Sequence, residues 1–260
     1  MMIVADNLRI TLPVIREAVE RMEAEPIQQM VRACENAGAQ AMDINSGPLT
    51  RNPAEKMTFL VRSAQAAVDL PLVLDTSNPA AMDAGLAVCG KRPIINGVSL
   101  ESEKLKRILP LAQAYAADLI CYLLRPDGQV PADAAGRMEA AVQLFGECDR
   151  AGISPDRLIV DPIVAPLAWQ DGNRQNMAVL EVIRTLPDLL GVPVRTMAGL
   201  SNLTTGAPDA PARRRYQCTF LPMLAAAGLD IVLMNVLDPE LMSAAAACRN
   251  IAGEVVFSWK

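Results

Sequence analysis

The sequence predicts an α/β protein folded as a single (β/α)8 TIM barrel. Short runs rich in Val and Ile alternate along the chain with longer stretches that have helical periodicity. Eight strand–helix units in 260 residues give about 32 residues per unit, close to the ~250 residues of such a barrel. No linker or composition shift divides the chain, so residues 1–260 are predicted to form one domain. A doubly wound open sheet is less favoured, because no Gly-rich phosphate loop follows the first strand.

The short apolar runs predict eight strands, and amphipathic segments between them predict helices. In chain order the predicted strands are Ile3–Ala5, Ala41–Ile44, Leu72–Leu74, Ile94–Val98, Leu119–Leu123, Leu158–Val160, Val192–Met197 and Ile231–Met234. Apolar residues with i, i+3, i+4 and i+7 spacing predict helices that contain Met57, Leu105 and Met138.

Residues typical of helix starts and helix ends support these boundaries. Asn52, Asn78 and Asp238 each precede a proline, so they are predicted to cap the helices that follow. Gly38 and Gly152 fall where helix-terminating glycines belong.

One long loop is predicted after strand seven. The segment 204–215 contains a glycine, two prolines and the consecutive arginines Arg213, Arg214 and Arg215. It follows a strand on the side of a barrel where active sites lie.

The composition excludes several classes of function. The chain contains no His, so it has no Ser-His-Asp or Cys-His catalytic group and no His-bound zinc. The formal net charge of −5 argues against a nucleic-acid partner. The six cysteines form no CxxC pair and are predicted to be reduced and buried. No signal peptide or membrane span is predicted, since charged and polar residues interrupt the best candidate, 109–124, so we expect a cytoplasmic protein.

Asp and Asn residues cluster at the ends of the predicted strands. They are Asp43 and Asn45 on strand two, Asp75 on strand three, Asn96 on strand four, Asp161 on strand six, Asn202 after strand seven and Asn235 on strand eight. In a barrel these ends meet at one mouth. Each residue alone also fits a turn or a cap, so the prediction depends on their convergence. A pocket dense in hydrogen-bond acceptors suits a flat heterocycle with many donors, such as an aminopyrimidinone. No short-spaced acid cluster indicates a metal, and none is predicted.

Several motifs in matching order resemble a known family. They are Met42-Asp43-Ile44-Asn45-Ser46-Gly47-Pro48, Leu74-Asp75-Thr76-Ser77-Asn78, Ile95-Asn96, Ile159-Val160-Asp161-Pro162-Ile163 and Gly199-Leu200-Ser201-Asn202. These motifs resemble the pterin-binding barrels of the dihydropteroate synthase-like superfamily. Within it, the chain is most similar to the methyltetrahydrofolate:corrinoid protein methyltransferases.

The resemblance implies a role for each matching residue. Substrate-binding positions would be Asp75, Asn96, Asp161, Gly199 and Ser201, with Asp43 and Asn45 lining the same pocket. Asn202 would be catalytic, because it matches the amide that hydrogen-bonds near N5 of the folate. Such enzymes move a methyl group between N5 of tetrahydrofolate and the cobalt of a corrinoid held by a separate protein, and they are typically homodimers. The direction of transfer stays open.

Departures from the family pattern leave alternatives. The first strand reads Ala5-Asp6-Asn7-Leu8-Arg9-Ile10 where the family usually has Gly-Glu-Arg-Ile-Asn, and Cys218 stands where relatives carry a basic residue. The arginines 213–215 would either bind the folate's glutamate tail or form a solvated loop. The alternative functions are a dihydropteroate synthase-like enzyme and a non-catalytic pterin-binding subunit. Strand eight lacks the Arg-x-His motif of the synthases, which argues against the first.

Overall fold

Eight parallel strands close into a barrel in the computed structural model, which describes residues 1–253. The strands are β1 (Met2–Arg9), β2 (Ala41–Asn45), β3 (Leu72–Asp75), β4 (Ile94–Val98), β5 (Asp118–Tyr122), β6 (Leu158–Asp161), β7 (Arg195–Gly199) and β8 (Ile231–Met234). Each strand pairs with the next, and β8 pairs with β1. The predicted fold class is therefore confirmed.

Helices surround the barrel and return the chain from each strand to the next. They are α1 (Pro13–Arg21), α2 (Ala24–Asn36), α3 (Pro53–Gln65), α4 (Pro79–Val88), α5 (Ser102–Ala114), α6 (Ala134–Arg150), α7 (Gly172–Leu190), α8 (Ala210–Ala226) and α9 (Pro239–Ala252). Short 3₁₀ turns occupy Pro155–Arg157 and Leu200–Thr204. Within the described part of the chain, no helix has the length and apolarity that a membrane span requires.

The hydrophobic core has two layers. A large layer packs the helices against the outside of the barrel. The barrel interior is filled by one residue from each strand, namely Val4, Ala41, Val73, Ile94, Ile120, Ile159, Met197 and Ile231. This ring closes the barrel below the mouth, so the interior is a packed core and any ligand must bind above it.

β1 is longer than predicted. It continues through Asp6 and Asn7 to Arg9, with a register shift against β2 between Ala5 and Leu8. The polar pair interrupts the apolar run, which is why the sequence indicated only Ile3–Ala5. Asn7 is held by its contacts with the chain after β8, since its side chain donates to the Asn235 Oδ1 at 2.6 Å and accepts from the Val236 N–H at 3.1 Å.

All five predicted helix boundaries are confirmed, and two of the three predicted side-chain caps form. Asn78 accepts from the N–H groups of residues 80 and 81, and Asp238 does the same for residues 240 and 241. Gly38 and Gly152 end their helices with φ of +102° and +73°. Asn52 stands directly before α3, but its side chain does not cap the helix, because its φ of +48° turns the backbone into the left-handed region and its amide donates to Glu55 instead.

The predicted loop 204–215 is wrong over its second half. α8 begins at Ala210, where the Asp209 side chain caps it by accepting from the Ala212 N–H at 2.7 Å. The three arginines therefore lie on a helix. Proline is common both in loops and in the first turn of a helix, and Pro211 occupies the first turn of α8.

The cysteines largely match the prediction. All six are free thiols. Cys34, Cys121, Cys148 and Cys248 are buried, whereas Cys89 and Cys218 are partly exposed.

Candidate active site

The alternation of side chains along the strands builds a polar cavity above the interior ring. Residues two positions beyond each ring member point to the same side of the sheet, inward, because side chains alternate with a period of two. These eight residues are Asp6, Asp43, Asp75, Asn96, Tyr122, Asp161, Gly199 and Leu233, and all of them line one cavity of about 380 Å³. One inward-facing position on each of the eight strands therefore contributes to a single site.

Every residue predicted for the site lies at this cavity. The set is Asp43, Asn45, Asp75, Asn96, Asp161, Gly199, Ser201 and Asn202. Asn235 was expected to converge with them, but it lies instead in an adjoining cavity, where its side chain accepts from Asn7. Its position follows from β8 ending at Met234, which leaves Asn235 in the turn beyond the strand.

Hydrogen bonds orient the amides of the site. Asn96 donates to Asp43 at 3.5 Å through Nδ2 and accepts from the Tyr122 hydroxyl through Oδ1. Asn45 donates to Asp75. Gly97 allows β4 to lie close to β5, because a Cβ at that position would be 2.6 Å from the Ile120 carbonyl oxygen. The Asn96 amide is therefore held by hydrogen bonds to side chains on two other strands, β2 and β5.

Burial of several carboxyl groups in one cavity makes their ionisation costly. Burial raises the pKa of Asp75 to about 6. Burial, reinforced by the neighbouring Asp75 carboxylate, raises the pKa of Asp43 well above its usual value, although the Asn96 hydrogen bond opposes this. Carboxyl groups that share a cleft and have shifted pKa values are typical of functional sites.

Asp161 has a distinct environment. Burial raises its pKa to about 7, against the opposing effects of a hydrogen bond from the Ile163 N–H at 2.8 Å and of the positive charge of Arg137. Arg137 on α6 is fully buried, and its guanidinium donates to the Gln175 carbonyl oxygen at 3.0 Å. Arg137 is not predicted from the sequence, because one arginine in an amphipathic helix gives no signal of burial.

The 3₁₀ turn after β7 presents Asn202 at the cavity edge. Its side chain is exposed and packs over Gly199, where an added Cβ would lie 3.1 Å from Asn202 Nδ2. The glycine therefore leaves room for the amide beside the end of the strand.

Three further polar residues line the cavity and were not predicted: Asp6, Arg9 and Tyr122. Asp6 and Tyr122 follow ring residues by two positions, so strand alternation could have identified both. Arg9 lies beyond the register shift in β1, where alternation no longer predicts the direction of a side chain.

The cavity is suited to a ligand rich in N–H donors. Ionised carboxylates accept only, and the amides add both acceptors and donors. Across residues 1–253 no group of three or more Cys, Asp or Glu is arranged to hold a metal ion. The arrangement can fix a flat heterocycle by its edge and leave one face open toward the barrel mouth.

Known proteins are similar to this chain in both sequence and fold. Residues 16–235 match the family model described as pterin binding enzyme. A methylcorrinoid:tetrahydrofolate methyltransferase of Eubacterium limosum is 26% identical over 97% of this chain and 92% of its own length. The methionine synthase of Mycobacterium tuberculosis is 26% identical over 83% of this chain, but this covers only 19% of that protein.

Solved structures share the fold. The dihydropteroate synthase of Stenotrophomonas maltophilia, with imidazole in its active site, superposes with a TM-score of 0.71 at 18% identity, covering 98% of this chain and 94% of that one. The Xanthomonas albilineans synthase in complex with 7,8-dihydropteroate gives 0.68 at 19% identity, covering 96% and 93%. Because the family model spans most of the sequence, the chain belongs to the pterin-binding enzyme family.

Proposed function

We propose that this enzyme transfers a methyl group between N5 of (methyl)tetrahydrofolate and the cobalt of a corrinoid carried by a separate protein. The observation that carries the proposal is the single cavity into which the strand ends direct Asp43, Asp75, Asn96 and Asp161, with Asn202 at its edge. Similarity to a methylcorrinoid:tetrahydrofolate methyltransferase along nearly the whole chain supports this chemistry. A homodimer and a cytoplasmic location are part of the proposal.

The buried acceptors would bind the pterin. Its 2-amino and N3–H groups form a donor edge that a carboxylate accepts with both oxygens. Asp75, Asn96 and Asp161 supply acceptors on three different strands, so they fix both the position and the tilt of the ring. Positioning matters because methyl transfer is an in-line displacement, whose rate depends on the alignment of the reacting atoms.

Asn202 would act at N5. A methyl group leaves a tertiary amine readily only if that nitrogen gains a proton, since otherwise an anion must depart. In the opposite direction the newly methylated N5 must lose its proton. An amide that accepts a hydrogen bond from protonated N5, assisted by the negative potential of the carboxylates, stabilises the charge in both directions. The proton itself can be exchanged with water.

The corrinoid is assigned to a partner protein on chemical grounds. Many corrinoid domains ligate cobalt through the histidine of an Asp-x-His-x-x-Gly motif, and this chain contains no histidine. The open mouth above the cavity would give the cobalt access to N5.

A spectroscopic turnover assay tests the proposal. The enzyme is mixed anaerobically with methyltetrahydrofolate and a cobalt(I) corrinoid, and the reverse reaction is run with methylcobalt(III) and tetrahydrofolate. Enzyme-dependent conversion of the cobalt(I) spectrum to that of methylcobalt(III), or its reversal, is the expected result. Folate binding without turnover in either direction would refute methyl transfer.

A dihydropteroate synthase-like activity is the second candidate, because the solved structures with this fold include several such synthases. The end of β8 reads Met234-Asn235-Val236, without the Arg-x-His anion-binding motif of that activity. Incubation with a pterin pyrophosphate and p-aminobenzoate should give no dihydropteroate, and product formation would favour this candidate.

A further inference from the structure

Tyr122 lies in the strand-end cavity, and the proposed mechanism gives it no role. It is the last residue of β5, where it pairs in register with Asp161 on β6. It lines the same cavity as Asn96, and its hydroxyl donates to Asn96 Oδ1. One phenol therefore stands among the carboxylates and amides and is bonded to one of the amides.

Gly97 makes room for the Tyr122 ring. A Cβ at position 97 would lie 3.1 Å from Cε2 and 3.2 Å from Cζ of the ring, so the phenol packs directly against the backbone of β4. Lys104 Nζ lies 6.0 Å from the centroid of the same ring, within the range of a cation–π interaction. These contacts confine the ring and so fix the position of its hydroxyl beside Asn96.

Asn96 depends on this hydroxyl for its orientation. A side-chain amide has a donor end and an acceptor end of nearly the same shape, and a rotation of 180° about its last torsion exchanges them. Within residues 1–253, the other side-chain hydrogen bond of Asn96 goes to Asp43 at 3.5 Å, the outer limit for such a bond. Without the Tyr122 hydroxyl, this long contact would be left to set the direction of the amide.

The Tyr122 hydroxyl stays a donor throughout the neutral pH range. Burial raises the pKa of Tyr122 well above its usual value, and the charges of Asp75, Asp161 and Asp43 raise it further, because they would repel a phenolate. The hydroxyl occupies one lone pair of the Asn96 Oδ1, so the second lone pair is available to an N–H of a ligand.

We propose that Tyr122 is a positioning residue for pterin binding, whose hydroxyl holds the Asn96 amide with Oδ1 toward the N–H edge of the ring. Tyr122 acts through Asn96 and not by its own contact with the ligand. A reversed amide would turn its N–H groups toward the donors of the pterin, and the cavity would lose that acceptor. The inference rests on the pterin-binding part of the proposed function and adds to it the residue that selects between the two amide orientations.

A double-mutant cycle on ligand binding tests the proposal. Calorimetry would measure the Kd of 5-methyltetrahydrofolate for wild type, Tyr122→Phe, Asn96→Ala and the double variant. Tyr122→Phe keeps the ring and should weaken binding about three- to tenfold, the net effect of one hydrogen bond. In the Asn96→Ala background the same substitution should change the Kd by less than about twofold, because the residue through which it acts is gone.

Tyr115→Phe is the matched control. The Tyr115 hydroxyl also donates to a side chain, Asp83 Oδ1 at 2.8 Å, but this bond joins the end of α5 to α4, outside the cavity. Its loss should leave the Kd unchanged. Thermal unfolding shows whether each variant is folded, and Asn96→Ser takes the place of Asn96→Ala if the alanine variant is not.

The other outcomes separate the two proposals. An unchanged Kd for Tyr122→Phe would overturn the role of Tyr122. An equal loss in the wild-type and Asn96→Ala backgrounds would overturn it as well, since the phenol would then contact the ligand itself or support the cavity as a whole. Equal weakening by Tyr115→Phe would indicate a general effect of losing a hydroxyl and would also overturn it. If the wild type does not bind 5-methyltetrahydrofolate, the proposed function itself fails.

Discussion

Asn202 is the residue on which the proposed chemistry depends most. It borders both cavities, and its amide packs over Gly199 beside the end of β7. We predict that Asn202→Ala lowers the rate of methyl transfer by about 10²-fold at saturating folate, the loss typical of removing one electrostatic group from a transition state. Single-turnover absorbance measurements would show this. An unchanged rate would remove Asn202 from the mechanism.

The Asp161 carboxylate is expected to favour folate binding but to lower the stability of the folded protein at high pH. Its pKa of about 7 in the folded protein exceeds the ~3.9 of an unfolded aspartate, so the protonated form favours folding. The stability that this group contributes is complete below about pH 4 and is lost as the pH rises through 7. Asp161→Asn should therefore raise the free energy of unfolding by about 1 to 3 kcal/mol at pH 8, with little change at pH 4.

Denaturant unfolding at both pH values would measure the effect of Asp161→Asn. Asp127→Asn is the control, because Asp127 is exposed and its bond from the Gln129 N–H can also be made by an amide. Equal stability of Asp161→Asn and wild type at pH 8 would contradict the assignment. The same variant should bind methyltetrahydrofolate more weakly, because its amide offers one acceptor where the carboxylate offers two.

At the scale of elements, local sequence signals predicted most boundaries but failed at two places that shape the site. The sequence predicts that β1 ends at Ala5, because the next two residues, Asp6 and Asn7, are polar. In the structure both are buried, by the barrel mouth and by contacts with the turn after β8. The start of α8 is predicted as a loop because segment 204–215, to which it belongs, contains one glycine, two prolines and three arginines. Asp209 followed by Pro211 was a usable helix-start signal.

The two Asn-Pro sequences allow a test of helix capping. Asn78 accepts from two N–H groups of α4, whereas Asn52 has a left-handed backbone and caps nothing with its side chain. Asn78→Ala should lower the free energy of unfolding by about 1 kcal/mol. Asn52→Gly should change it by less than about 0.5 kcal/mol, because glycine adopts the positive φ without strain.

Chemical denaturation of both capping variants provides the comparison. If they were equally destabilised, the structural distinction between the two asparagines would be wrong. Substituting glycine at position 52, instead of alanine, keeps backbone strain out of the control.

At the scale of the whole molecule, the repeating strand–helix pattern was sufficient to predict the barrel, and the strand-end Asp and Asn residues were sufficient to predict a polar pocket. Strand alternation explains why, since the ring of apolar residues and the ring above it occupy fixed positions on every strand. The adjoining cavity that Asn235 lines could not be predicted, because it depends on how β1, α8 and α9 pack together. The burial of Arg137 likewise depends on the packing of α6 against α7.

The measurement that decides whether this barrel is a folate methyltransferase is the fate of the methyl group itself. Methyltetrahydrofolate labelled with carbon-13 at the N5 methyl would be mixed anaerobically with the enzyme and a cobalt(I) corrinoid, free or bound to a corrinoid protein, and followed by NMR. We predict that the label moves from nitrogen to cobalt at a rate that depends on the enzyme and that Asn202→Ala slows. A label that stays on N5 with both forms of the corrinoid, at the rate of the enzyme-free control, would contradict the proposed function.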